Sequence, residues 1–475
     1  MSLGEIHPTV KAMQDRALVC QTLMGGTKAM REAWKLYLPQ EDAESDKAYL
    51  SRLRKSVLYP AFSKTVNGFV GKPFSKPIQL GDDVPSQMKD WLENCDLLGR
   101  DFDTFAREVF RRVLVDGFGF ILVDYPMVTT PLSLADEQAM GVRPYFVHVP
   151  LNNILGWRLS YSGGLPVIDQ LRIKEQVEEP SGAYGVKIVD QIRVLTPGHV
   201  DVFRSAGDPR TGASDWSLVP EMSGDTTFPG VPVVPVYAGR VGFLEATPPL
   251  EDMAWLNVRH WQSSSDQAHI LHVARVPILF GAGLDIPGGT EVVVGPNRLI
   301  RAPLGAQLSF VEHTGAAIAA GRQDIADMEE QMQRIAGEFL VRKKGVKTAT
   351  ESRLEAMDGA SVLKGWVWDY QDALEATLMV MGMWVGMPGG TVEVYTGWDD
   401  TDVDSQDLVT VLGAAQSGFV SKDTWLWNLH RKGMLPPGIT PEDEAERMAA
   451  EPPTGMSTAV PTGVQIPETP QDSTT

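Results

Sequence analysis

The chain has 475 residues, 43% of them hydrophobic, and a formal charge of −19. That length accommodates roughly three domains of about 150 residues, and the hydrophobic share supports real cores. The acid excess argues against a protein that grips nucleic acid over a broad surface, because such binding needs lysine and arginine to displace phosphate counterions. It is compatible with DNA sliding past, and equally with an acidic balance that keeps an abundant protein soluble. With only Cys20 and Cys95, and no run of basic, apolar and small residues at the start, a reducing cytoplasm without disulfides is expected. The most apolar run, residues 378–387, falls short of the ~20 residues needed to cross a bilayer and contains two glycines. A soluble chain without a membrane partner is expected.

In chain order, residues 7–70 read as helices joined by polar turns, with Met30, Trp34 and Leu38 at helical spacing and Leu50, Leu53, Val57 and Leu58 continuing the pattern. Pro60 and the Gly71, Pro73, Pro77 cluster close this section. Residues 91–115 read as one amphipathic stretch through Phe102, Phe105, Val109, Phe110 and Leu114, broken at Asp116-Gly117. A buried strand is expected over 118–123. Short β-rich runs follow at 145–149, 167–177, 186–195 and 200–203, punctuated by glycine, proline and serine. No self-similar period appears, so a solenoid or propeller is not expected.

Pro248-Pro249 preset a helix start, and Leu250, Ala254, Val258, Trp261, Ser265 and Ala268 fall on one stripe that Pro277 stops. Three short β-like runs, 276–280, 291–294 and 307–311, form a compact insert; alone they are too short for a stable sheet and are expected to pair between neighbouring subunits. A second long helix is expected over 314–341, with Ile318, Ile325, Met328, Met332, Ile335 and Phe339 on its apolar face. Asp324, Asp327, Glu329, Glu330 and Glu338 stand on the other face against Arg322 and Arg334. These apolar stripes look too long to be buried within one subunit. Arg342, Lys343, Lys344 and Lys347 surround Gly345 before a third long helix through Leu354, Met357, Leu363, Trp366, Tyr370, Leu374, Leu378 and Met381, ended by Pro388-Gly389-Gly390. A strand at 392–395 and a small helical section at 406–448 complete the ordered part. Beyond Pro452 the Pro, Thr, Ser and Gly composition predicts a disordered tail.

Chemical signatures are few. A phosphate loop is absent: Gly25-Gly26-Thr27-Lys28 and Gly345-Val346-Lys347-Thr348 both have the wrong spacing. No G-x-S-x-G elbow, H-E-x-x-H helix or C-x-x-C pair occurs. These absences speak against an ATPase motor or an ordinary hydrolase, and no cofactor is expected. His269 and His272 share a helix face near Asp266, but no fourth metal ligand is suggested. The run Asp399, Asp400, Asp402, Asp404, Asp407 fails as an EF-hand, which would need glycine at Ser405 and glutamate at Val411; it reads as helix caps. Trp366, Trp368 and Trp384 could stack bases, but at helical apolar spacing they read as core.

The order of elements resembles that of phage portal proteins, and short strings extend the likeness: RPYFVHVPLNNILGWR at 143–158, the preceding DGFGFILVDYP, TATESRLEAMDGA at 348–360, and LVTVLGAAQSGFVSKDTWLWNLHRKGMLPPGITPEDEAERM. All are similar to a podovirus-type portal subfamily, over nearly the whole chain. The resemblance implies an α+β portal-type subunit with long stem helices, β-rich wing and clip, and helical crown. Its parts would be a wing at 1–247, first stem helix at 248–275, clip at 276–313 and second stem helix at 314–341. A tunnel loop at 342–350, wing helix and strand at 351–398, crown at 399–451 and tail at 452–475 would follow.

It also implies a non-enzymatic homo-oligomeric ring, usually of twelve subunits, at one capsid vertex of the virion, assembled in the host cytoplasm. Double-stranded DNA would pass through it, and the terminase large subunit, a tail adaptor or head-completion protein, and major capsid and scaffolding proteins would be partners. Arg342, Lys343, Lys344 and Lys347 would be the tunnel loop, and Asp324, Asp327, Glu330 and Glu338 would line the channel. The rival readings are a metal-dependent nucleic-acid or sugar enzyme using Asp399, Asp400 and Asp402, and another virion structural protein such as a head-tail adaptor.

Overall fold

A computed structural model of the chain describes residues 2–127, 140–205, 216–274, 278–282, 307–311, 316–340, 349–398, 412–413, 417, 419–431 and 440–450. The chain forms two compact units, Met1–Thr396 and Gly397–Thr475. Helices and antiparallel strands occupy separate stretches of the first unit, an α+β arrangement.

Four helices open it: α1 (Pro8–Met24), α2 (Gly26–Glu32), α3 (Asp46–Lys55) and α4 (Ala61–Gly71). The starts of α1 and α3 follow from local chemistry. Pro8 stands where a helix needs no N–H and His7 Nδ1 accepts from the Thr9 N–H at 3.3 Å, while the Ser45 hydroxyl accepts from the Ala48 N–H. The stretch expected as one amphipathic run over 91–115 is two helices, α5 (Ser86–Leu92) and α6 (Phe102–Asp116). The break is built by Asp96, whose Oδ1 accepts from the N–H groups of Leu98 and Arg100 and so stabilises a turn instead of a helix. Asp101 then caps α6 through the Thr104 N–H at 2.7 Å. Gly117 ends α6 at φ 80°, and a Cβ there would lie 2.8 Å from the Thr247 carbonyl carbon, so only glycine fits.

The chain runs straight from this turn into a sheet. Strand β1 (Gln79–Leu80) pairs far downstream, but β2 (Phe118–Asp124) sits between β3 (Tyr145–Pro150) and β10 (Val233–Tyr237), all antiparallel. Every residue of 118–123 is buried, which explains a continuous apolar run in place of alternation. A second sheet takes its strands in sequence order: β4 (Ile154–Ser162), β5 (Leu165–Ser181), β6 (Gly185–Thr196), β7 (His199–Ser205) and β8 (Trp216–Leu218). Strand β9 (Gly224–Asp225) also pairs with β7, and β11 (Arg240–Gly242) with β12 (Glu245–Ala246). The core between helices and sheets collects Val10, Met13 and Ala17 of α1, Phe118, Phe120 and Leu122 of β2, and Leu171 and Ile173 of β5.

Three long helices follow: α7 (Glu251–Ala274), α8 (Ala316–Leu340) and α9 (Ala349–Val385). The expected stripe of α7 is buried at Leu250, Ala254, Val258, Trp261 and Ser265, within this one chain, which corrects the expectation that it needs a second subunit. Ala268 is exposed and Gln267 is buried in its place. Between α7 and α8, β13 (Ile278–Ala282) pairs antiparallel with β14 (Gln307–Val311) in the same chain, which leaves the outer edge of each strand open to a neighbouring subunit. The third run, 291–294, lies outside the described residues.

On α9, Tyr370, Leu374, Leu378 and Met381 are buried as the spacing predicts. Trp366 packs on Phe69, and Trp384 stacks on Tyr125 and donates from Nε1 to the Val123 carbonyl at 2.9 Å. Trp368 is 56% exposed, so the core reading of the three tryptophans fails there. Strand β15 (Val392–Glu393) is shorter than expected and pairs with β1. In the second unit, α10 (Lys422–Arg431) precedes α11 (Pro441–Ala450), whose start is a reciprocal box between Thr440 and Asp443. Among the described residues no helix is long and apolar enough to cross a membrane.

Candidate functional site: the paired long helices

The α7–α8 pair is the feature on which a functional reading turns, and its geometry is set by polar residues set among apolar ones. As α7 advances from Met253 to Gln267, its partners on α8 run backward from Met332 to Ile318, so the helices are antiparallel. Met253 and Met332 share a small core with Ala61. Further along, Arg259 pairs with Asp324 at 3.2 Å and His260 Nε2 lies 3.1 Å from Glu329 Oε1. Gln267 donates to the Ile318 carbonyl at 2.9 Å. A Cβ on Gly321 would lie 2.2 Å from the Gln267 side-chain oxygen, so glycine there leaves room for the Gln267 amide between the helices. The strands β13 and β14 continue the same antiparallel hairpin beyond the helix ends.

The pair is fastened to the rest of its unit by buried polar contacts. Asn257 is fully buried, accepting from the Phe62 N–H and donating to the Tyr59 carbonyl, both at 3.1 Å. Arg52 of α3 is buried against α7: it holds Glu44 at 2.7 Å, reaches Asp266 at 3.3 Å and donates to the Pro39 carbonyl at 2.8 Å. The hydrogen bond from Arg52 holds the Glu44 carboxyl below the usual carboxylate range. His269 and His272 line a cleft of about 240 Å³ with Arg52, Lys55 and the hydroxyls of Ser51, Ser56 and Ser265. Asp266 is thus occupied by a guanidinium, and the histidines share their cleft with cations that would repel a metal ion. Among the described residues, no group of three histidine, cysteine or acidic side chains could hold one.

The carboxylates expected to line a channel divide. Asp324 is tied to Arg259, Asp327 accepts from the Gln323 amide at 2.7 Å, and Glu330 lies 3.4 Å from Arg334. On the described turns of α8, Arg322 and Arg334 are exposed with Asp327 and Glu330, while Asp324 and Glu329 find their partners on α7. The side chain of Glu338 lies outside the described residues, as do Arg342, Lys343, Lys344, Lys347, Asp399, Asp400, Asp402, Asp404, Asp407 and residues 452–475. Sequence reasoning passed over Arg52, Asn257, His260 and Gln267. The available signal was four polar residues whose helical partners in sequence are buried apolar ones.

Residues 249–385, which contain all three long helices, match a family model described as Domain of unknown function (DUF4055). No curated protein matches the chain. Among solved structures the chain is similar to one from the neck of the native GTA particle computed with C12 symmetry, at 12% identity and TM-score 0.40, covering 80% of this chain and 91% of that one. It is similar also to a chain of the neck of the empty GTA particle computed with C6 symmetry, at 13% and 0.42, covering 83% and 95%. A chain of the virion of the native gene transfer agent particle gives 14% and 0.40, covering 86% and 99%.

Proposed function

We propose that this chain is the portal subunit of a tailed phage or phage-like particle, a non-enzymatic member of the ring through which double-stranded DNA enters and leaves the capsid. The observation that carries the reading is the antiparallel α7–α8 hairpin with a strand pair at its tip, followed by the long α9 rooted in the first unit. That order agrees with the sequence strings that resemble portals, and a stem with a clip at its end is the part such a subunit projects. In this reading α7 and α8 are the stem, 276–313 the clip, 342–350 the tunnel loop and 399–451 the crown. The partners are other copies of the chain, DNA, the terminase large subunit, a tail adaptor, and capsid and scaffolding proteins. The place of action is the virion vertex.

Two experiments test it. Purified protein is expected to give closed rings of about twelve copies with an axial channel by electron microscopy and mass measurement. A strictly monomeric species at every concentration and salt tested overturns the reading. Within it, Lys343, Lys344 and Lys347 touch passing phosphates in the channel without reading sequence. Replacing all three with glutamate is expected to leave the ring intact and to impair DNA packaging or retention, more severely at low salt where screening is weak. Wild-type packaging in that variant reduces these residues to helix caps and surface charge.

A further inference from the structure

Two exposed aromatic and apolar patches lie on different elements of the first unit. One is built on the turn after α2, where Trp34 and Leu36 stand with Trp255 of α7, whose indole meets the Tyr37 ring edge-on at 6.2 Å. Trp34 holds φ 50°, a left-handed backbone that a bulky side chain adopts only under constraint, and its ring is nonetheless presented to solvent. The other is a stripe along α9: Trp368, Met379 and Met383 recur at helical spacing with the exposed Asp369 and Asp372. The six apolar side chains are between 48% and 60% exposed. Solvent-facing tryptophans concentrated in this way are the composition of interface anchors.

The patches cannot cover one another within a chain. From Trp255 the packing runs through α7 to α4 by way of Asn257 and Phe62, and from α4 to α9 by way of Phe69 and Trp366. Helix α4 therefore lies between them. A closed ring needs two different, mutually complementary surfaces on each copy. The charges also complement each other, since Lys35 lies over the Trp34 ring at 5.5 Å while Asp369 and Asp372 flank Trp368. We infer that the Trp34, Leu36 and Trp255 patch of one copy docks on the Trp368, Met379 and Met383 stripe of the next. The inference rests on the ring reading above and names its contact.

The test uses full-length protein carrying Lys35→Cys and Asp372→Cys together, treated with a bismaleimide. The native Cys20 and Cys95 are buried, with burial pushing both thiols up to about 12, so the introduced thiols react alone. A covalent ladder reaching the ring's copy number is expected from the double variant, and monomers from each single variant. Dimers from a single variant would mean a self-matching contact and overturn the inference. Rings seen by electron microscopy without a ladder overturn it while leaving the portal reading standing; absence of both rings and ladder overturns the two together. Met379→Asp with Met383→Asp, both exposed and so tolerated by the fold, is expected to raise the concentration needed for assembly at least about tenfold. Unchanged assembly in that variant overturns the contact.

Discussion

Tyr370→Ala is expected to lower the unfolding free energy of the first unit by about 3–5 kcal/mol, whereas Tyr370→Phe lowers it by only about 1 kcal/mol. Tyr370 is buried at the centre of α9, its ring 5.1 Å from that of Phe110 and 6.5 Å from that of Phe74. Its hydroxyl donates to the Ala106 carbonyl at 2.6 Å. Alanine leaves a cavity bounded by two phenylalanines and frees α9 from α6. Phenylalanine keeps the ring and loses one hydrogen bond to a carbonyl that already serves its helix. Urea unfolding of both variants measures the difference; equal losses would assign the anchoring to the hydroxyl and not to the packed ring.

The second large effect is a dependence on pH. His148 lies on β3 with Nε2 buried and without a hydrogen-bond partner. Burial, then the charges of Arg112 and Arg100, push its pKa down to about 4 from the ordinary 6.5. As pH falls through 6.5 the unfolded chain takes up a proton that the folded chain refuses until about pH 4, so stability is lost across that window and is fully present above it. The whole contribution amounts to roughly 3 kcal/mol. Carboxylates titrate in wild type and variant alike, so the comparison is with His148→Phe: the gap between the two, read from denaturant midpoints at pH 7 and pH 4.5, should change in the variant's favour on acidification. A gap that does not move with pH would show that His148 is protonated in the folded protein.

The fold was legible where one segment carries its own signal. Pro8, Pro248-Pro249 and Pro388-Gly389-Gly390 mark helix limits, and the alternation in 165–196 marks two strands that pair with each other. It was not legible where the answer lies elsewhere in the chain. Nothing local to β2 indicates that its partner is β10, more than a hundred residues away. Asp96 breaks the 91–115 stretch through two backbone N–H groups that a periodicity count does not see. The same limit applies to the candidate site. The acidic residues of α8 look like a free face when only their own helix is read, yet Asp324 and Glu329 find Arg259 and His260 on a helix sixty-odd positions earlier. Trp368 and Trp384 have the same side chain on the same helix, and their fates differ because Val123, Tyr125 and Phe228 stand opposite only the second.

The ties between α7 and α8 have a mechanical corollary. A slip of four residues in either direction would set Arg259 against Ala320 or Met328 and His260 against Ile325 or Gln333, none of them a carboxylate. A three-residue slip that brings Arg259 to Asp327 leaves His260 against Met332, so no one-turn shift regains both bonds and one register is favoured. Helix α7, at 24 residues, extends about 36 Å. Sliding of α7 along α8 is therefore opposed at each of these ties, and the helix pair forms a strut that resists telescoping.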